Sequence, residues 1–185
     1  NFYFYFLYYF YSVFICGMIH FKKVLFEFNN GSGIKDTSFN IESGEYVCII
    51  GPTGAGKTTL LKLIYMDIFP QKGEVIVDKY NSKKIKNKEI INLRRNVGMV
   101  FQNPQLLNDR SVFENISIPL HIQGLGLKYI KNQVNEVLSK LGIEDKKNHF
   151  PNQCSGGEQQ IISLARELVK SPNLILADEP TGNLD

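Results

Sequence analysis

The chain reads as an α/β protein with a mainly parallel sheet, an antiparallel β-hairpin near its N-terminus and an inserted helical segment. Three observations predict this. Residues 51–58 read GPTGAGKT, which fits G-x-x-x-x-G-K-[ST] without a mismatch. That loop stands between an apolar run at 46–50 (YVCII) and Leu60, Leu61 and Ile64 at helical spacing, so a buried strand enters it and a helix leaves it. Between residues 103 and 152 the pattern changes, because no comparably long apolar strand run appears and Ile130, Val134, Leu138 and Leu141 recur on one helical face.

Residues 1–17 stand apart, since ten of the first fourteen are Phe or Tyr and none of the seventeen is charged. A signal peptide calls for a basic start and a small-residue cleavage site, and a membrane span for roughly 20 residues richer in Leu, Ile and Val. Neither description fits. The stretch is expected to be extra translated sequence ahead of a domain spanning 18–185, with a weak hydrophobic anchor as the competing reading.

From Ile19 the pattern IHFKKVLFEF alternates loosely, and turn residues at 29–33 separate it from a second strand at 34–41, which together make a β-hairpin. Glu42-Ser43-Gly44-Glu45 is the turn that feeds the strand at 46–50. After the loop and its helix, residues 73–78 (GEVIVD) read as an edge strand, 87–95 as a short amphipathic helix, and 97–101 as a buried strand that stops at Gln102. Residues 103–152 follow as a small helical subdomain. A second amphipathic helix is predicted over 155–171, with Ile161, Leu164, Ala165 and Leu168 facing inward, and a last strand over 174–177. That strand delivers Asp178 and Glu179 at its carboxyl end, where open α/β sheets hold their ligands.

A length of 185 residues suits one full-sized domain with a small inserted subdomain. The net charge of +3 is spread through Lys-rich stretches, densest at 79–88, which points to a solvated face and away from a nucleic-acid groove. Cys16, Cys48 and Cys154 lack metal-ligand spacing and suggest no disulfide, so a reducing compartment is the natural one.

The loop at 51–58 points to a nucleoside triphosphate. Its backbone N–H groups must come close to phosphate oxygens, so Gly51, Gly54 and Gly56 stand where a Cβ would obstruct the approach. Pro52, Thr53, Ala55 and Thr59 complete the loop. Lys57 supplies a point charge to the β- and γ-phosphates, Thr58 offers a hydroxyl to Mg²⁺, and the helix that starts here aims the positive end of its dipole at the phosphates. Phosphoryl transfer to water also needs a metal holder and a group that orients the water. Asp178 is the candidate holder of Mg²⁺ opposite Thr58, and Glu179 the candidate general base. Phe28, just before the hairpin turn, is open to two readings: a strand-end core aromatic or a ring that stacks on adenine.

Ser155-Gly156-Gly157-Glu158-Gln159 opens the second helix and satisfies a capping box by itself. Taken with the loop, Gln102 and the acidic pair, it resembles the signature motif of the ATP-binding-cassette ATPases. The resemblance runs from Met18 to Asp185, with Gln102 as the Q-loop glutamine, 174–179 as the Walker B strand and Leu184-Asp185 as the start of the D-loop. It implies a P-loop NTPase core of the RecA-like kind and ATP with Mg²⁺ as cofactors. It further implies Gln102 at the metal and the γ-phosphate, and Phe28 as the adenine-stacking aromatic. In this family two copies dimerise head to tail on ATP binding, so Ser155, Gly156 and Gly157 would contact the ATP held by the other protomer.

ADEPTGNLD at 177–185 is similar to the branch holding the cell-division, lipoprotein-releasing and macrolide-efflux ATPases. LLNDRSV at 106–112, with LRR at 93–95 and IPL at 118–120, most resembles the cell-division (FtsE) group. That implies a peripheral subunit on the cytoplasmic side of the bacterial inner membrane, bound to an FtsX-like integral membrane protein and coupling ATP to septal wall remodelling, with no nucleic-acid partner. The alternatives are an export ATPase of the lipoprotein or macrolide kind, and a nucleotide-gated binding module with little turnover. Residues 102–124 are expected to bind the membrane partner through Leu106 and Leu107, unless both leucines are core.

The sequence departs from the family pattern in two places. Cys154 stands where Leu usually begins the signature, and Ile161 where an Arg is common, which removes a charge from that helix. None of His20, His121 and His149 matches the histidine that the family carries beyond the D-loop. The 185 residues are therefore expected to be an incomplete copy, with apolar surface exposed on the far side of the core, weak ATP binding and slow turnover.

Overall fold

The computed structural model describes residues 12–14, 18–52 and 54–178. Strand β1 (Ser12–Phe14) comes first, followed by the predicted hairpin of β2 (Ile19–Glu27) and β3 (Gly33–Ile41), paired antiparallel from Ile19↔Ile41 to Glu27↔Gly33. Its inward side chains Ile19, Phe21, Val24 and Ile41 are buried, and Phe21 stacks on Phe39 with ring centroids 4.5 Å apart. The hairpin closes so tightly that a Cβ at Gly33 would lie 1.9 Å from the Phe26 carbonyl oxygen, which only glycine tolerates.

Next come β4 (Tyr46–Cys48), α1 (Lys57–Ile64), β5 (Lys72–Val77), β6 (Tyr80–Asn81), α2 (Asn87–Asn96) and β7 (Val97–Val100). Strands β3, β2, β5 and β6 form one antiparallel sheet in that order. The GEVIVD strand is thus interior and not an edge, because β2 takes one side of β5 and the two-residue β6 returns along the other.

The strand before the phosphate loop also differs from expectation. Among the described residues β4 pairs antiparallel with β1, in register Ser12↔Cys48 to Phe14↔Tyr46, where a buried parallel strand was predicted. Its ladder edge accepts the nearest segment of high β-propensity, and Tyr46 and Ile50 stay exposed. Strand β1 lies beside β8 (Leu174–Ala177) as well, so it sits between β4 and β8. Parallel pairing is carried by β7 and β8, with Val97↔Leu174 through Val100↔Ala177.

Two apolar clusters hold these elements. The first lies between the hairpin sheet, α1, α2 and the β7–β8 pair, and includes Phe21, Leu63, Ile64, Val75, Leu93, Met99 and Leu176. The second joins α3 (Val112–Ile122), α4 (Leu127–Leu141) and α5 (Gly156–Leu168) through Val112, Ile116, Leu120, Ile130, Val134, Leu138 and Ile162. Since α5 contributes to it, the helical core continues past residue 152. Leu106 packs on this cluster while Leu107 is exposed, so only one of the two predicted anchors is free.

Helix α5 faces inward only in part as predicted, since Ala165 is fully buried and Ile161 packs on the cluster while Leu164 and Leu168 do not lie at its centre. Its buried positions are Gln160, Ile162, Ser163 and Ala165, with Val169 just beyond, whereas Ile161, Leu164 and Leu168 are half-buried. One reason is that β7 has a backbone N–H which β8 does not take up. Glu167 of α5 accepts it, with Oε2 3.3 Å from the Met99 nitrogen. Lys170 pairs with the same oxygen at 2.6 Å and donates to the Val97 carbonyl at 3.0 Å. A nearly buried ion pair thus seals the strand edge, meeting the demand that buried backbone groups be satisfied.

Candidate functional site

The loop before α1 takes the shape its glycines permit. Gly54 (φ 82°) and Gly56 (φ 92°) lie in the left-handed region, and a Cβ on Gly56 would come within 3.3 Å of the Gly33 oxygen and Ile34. The Ala55 N–H donates to the Pro52 oxygen at 3.1 Å, tightening the turn. Lys57 is the first residue of α1, and its ammonium folds back across the loop to donate to the carbonyl oxygens of Gly51 at 2.8 Å and Pro52 at 3.0 Å. A cation is therefore fixed beside backbone N–H groups at a helix N-terminus, an arrangement whose electrostatics suit an anion. Thr59 is buried beneath it.

The acidic end of β8 reaches this loop. Thr58 donates its hydroxyl to Asp178 Oδ1 at 3.2 Å across 120 residues of sequence, and the Asp178 N–H is held by the Val100 oxygen at 2.9 Å. A hydroxyl and a carboxylate, both hard oxygen donors, thus meet next to Lys57. Thr53, Glu179, Leu184 and Asp185 lie outside the described residues.

Gln102 follows β7, and α5 grips the chain on both sides of it. Before it, the Phe101 carbonyl accepts from Gln160 Nε2 at 3.1 Å. After it, the Arg166 guanidinium donates to the Pro104 oxygen at 3.0 Å and the Gln105 oxygen at 2.9 Å. The N-terminus of the same helix is the Ser155-Gly156-Gly157 turn. Ser155 Oγ accepts from the Glu158 N–H at 3.3 Å and Glu158 Oε2 accepts from the Ser155 N–H at 2.8 Å, which is the predicted capping box. Lys146, 2.9 Å from Glu158, together with the Ser155 N–H, holds the Glu158 carboxyl down at about 2.

Cys154 is buried in the helical cluster, with its thiol pushed up by burial, so it fills the apolar role of the usual Leu. Ile161 packs against the same cluster. Phe28 is 40 % exposed at the end of the hairpin, in a T-shaped contact with Phe26 whose ring centroids are 4.9 Å apart.

Three residues that pattern reading missed do much of the positioning. Asn115 is completely buried; its side chain accepts from the Leu107 N–H and donates to the oxygens of Leu107, Arg110 and Ser111, all within 3.0 Å, which fixes the loop ahead of α3. Gln160 and Arg166 are the others. The one signal for Asn115 is a polar residue inside an otherwise apolar helix, VFENISIPL.

The sequence profile of the ABC transporter family matches residues 34–182. This chain belongs to the ABC transporter family. It is an ATP-binding and ATP-hydrolysing cassette of P-loop NTPase fold. The cassette is 43% identical over 169 residues to the cell division ATP-binding protein FtsE of Bacillus subtilis (strain 168), covering 91% of this chain and 74% of the relative. It is also 43% identical to FtsE of Escherichia coli (strain K12), covering 91% of this chain and 76% of that one. Among solved structures it resembles the ATP-binding cassette MJ0796, a dimer in a post-hydrolysis state bound to ADP and Pi. The TM-score is 0.82 at 34% identity, over 90% of this chain and 76% of that chain.

Proposed function

We propose that this cassette is the ATPase subunit of an FtsE-like cell-division complex, and that the Thr58–Asp178 contact marks its catalytic centre. The contact carries the proposal because it brings two of the three expected Mg²⁺ holders, Thr58 and Asp178, to one point beside the phosphate loop. In this assignment Lys57 and the backbone N–H groups of the loop at 51–59, Pro52 excepted, bind the β- and γ-phosphates, Phe28 stacks on adenine, and Gln102 reaches the metal and the γ-phosphate. Bound Mg²⁺ neutralises charge on the phosphate oxygens, and one or two protein oxygens suffice to hold it when phosphates supply the rest. Glu179 takes the proton of the attacking water.

The exposed Ser155-Gly156-Gly157 turn completes a second protomer's site, giving a head-to-tail homodimer. A donor-rich helix N-terminus suits a γ-phosphate. The membrane partner is an FtsX-like integral protein, docked on residues 102–124, with the cassette on the cytoplasmic face of the inner membrane. No helix among the described residues is long and apolar enough to cross a membrane, which suits a peripheral subunit. Because α5 holds the chain on both sides of Gln102, a displacement of that glutamine is passed to the helical cluster and so to the docking segment. The test is Glu179→Gln, which keeps shape while losing basicity. Steady-state phosphate release should fall by about 10² or more with ATP binding retained. Turnover within a few-fold of the parent would refute the assignment, and failure to co-purify with an FtsX-like protein would refute the partner.

A further inference from the structure

Away from the nucleotide site, a cavity of about 480 Å³ opens between β6, α2 and the turn joining α3 to α4. Lys79, Arg95 and Lys170 line it with Tyr80, three carboxamides and Leu125, and no carboxylate does. Lys170 is neutralised by Glu167, whereas among the described residues neither Lys79, whose ammonium lies 5.4 Å from the Tyr80 ring centroid, nor Arg95 has a carboxylate partner. The two stretches that meet here are both basic. Residues 79–88 hold five lysines and no acid, and residues 115–135 hold Lys128 and Lys131 and no acid.

The α3–α4 turn is open around its two glycines, since a Cβ on Gly124 or Gly126 would have nothing within 4 Å. It carries apolar side chains outward, with Ile122 67 % exposed, Leu127 76 % and Tyr129 52 %. Ile91 is exposed on α2 beside Asn92 of the cavity wall. Apolar surface gathered on one turn needs an occupant. A nucleic-acid backbone would use the cations and leave the aliphatic tip in water. An anionic bilayer uses both, because Leu and Tyr enter the headgroup boundary while flanking lysines meet lipid phosphates.

We propose that this face binds an anionic lipid surface directly, with Leu127 and Tyr129 entering the interface and the Lys79–Arg95 cavity receiving a phosphate-bearing headgroup. The contact is made by the cassette itself. It goes beyond docking on a membrane protein and leaves the catalytic residues out.

The test is co-sedimentation of the chain with vesicles of phosphatidylcholine alone and of phosphatidylcholine mixed with phosphatidylglycerol, at low and high salt. Each Lys or Arg near an anionic surface strengthens binding roughly fivefold, so the chain should bind the mixed vesicles and release them in salt, and Lys79→Glu with Arg95→Glu should weaken binding at least about 25-fold. Leu127→Ser with Tyr129→Ser should weaken it while keeping the salt dependence. Both double variants should retain binding of a fluorescent ATP analogue, which reports folding and separates this inference from the ATPase assignment. If a double variant fails to fold, the comparison of the two vesicle types with the parent chain decides. Equal binding to neutral vesicles, no binding to mixed vesicles, release by dilute inorganic phosphate, binding of duplex DNA in place of vesicles, or recruitment only when the membrane partner is embedded would each overturn it.

Discussion

Replacing Arg166 by Met keeps the aliphatic stem and removes the guanidinium that clamps the chain after Gln102. The group is 14 % exposed, and burial pulls its ionisation below the usual arginine range, so its two bonds to the Pro104 and Gln105 carbonyls are made in a largely dry setting. A hydrogen bond from a charged donor contributes about 1.5–3 kcal/mol net. Part of the loss is recovered because the Gln105 side is exposed to water, so the variant should lose about 2–4 kcal/mol in urea unfolding. Arg166→Lys should recover about half of that, since an ammonium cannot reproduce a fork that holds two carbonyls at once. Phosphate release, measured where the variant is fully folded, should also fall, because the chain after Gln102 loses the anchor that Arg166 gives it at Pro104 and Gln105. A stability loss below about 1 kcal/mol together with unchanged turnover would show that the clamp does not exist as described.

Asn115→Leu fills the volume but leaves the Leu107 N–H and the Arg110 carbonyl without their partner, while the Leu107 and Ser111 carbonyls keep the Arg110 and Asn115 backbone N–H groups, and should cost about 2–4 kcal/mol in urea unfolding; a cost under about 1 kcal/mol would mean the loop finds its own bonds. Glu158 is predicted to titrate at about 2 in the folded chain. Because that value is depressed, its contribution to stability is complete above the ordinary carboxylate range and is lost as pH falls from about 4.5 towards 2. Side-chain carbon shifts of Glu158 followed by NMR should show this, and Lys146→Ala should move the midpoint up; a midpoint that stays put would remove the ion pair as the cause.

What the sequence disclosed follows how local each constraint is. The glycine-rich turn was legible because its glycines must stand at fixed spacing whatever surrounds them, and Gly54 and Gly56 do take the left-handed backbone, with Lys57 folded back onto the Gly51 and Pro52 carbonyls. Thr58 meets Asp178 because a short apolar strand can end only at the carboxyl edge of its sheet. The inward face of α5 was only partly legible because Gln160 and Ser163 occupy buried positions. Hydrophobic periodicity cannot count polar residues that belong to the interior, so it favoured Ile161, Leu164 and Leu168. From sequence, β5 reads as an edge and β4 as a parallel strand, because pairing partners are chosen across the fold and leave no trace in the run itself.

Binding of a fluorescent ATP analogue to the parent chain and to Lys57→Ala measures the nucleotide site most directly. Losing the ammonium leaves a desolvated polyphosphate without its partner, a cost of about 3–5 kcal/mol, so affinity should drop more than about 100-fold. Affinity within about threefold of the parent, a difference of about 0.7 kcal/mol, would contradict the assignment of residues 51–58 as the phosphate-binding loop.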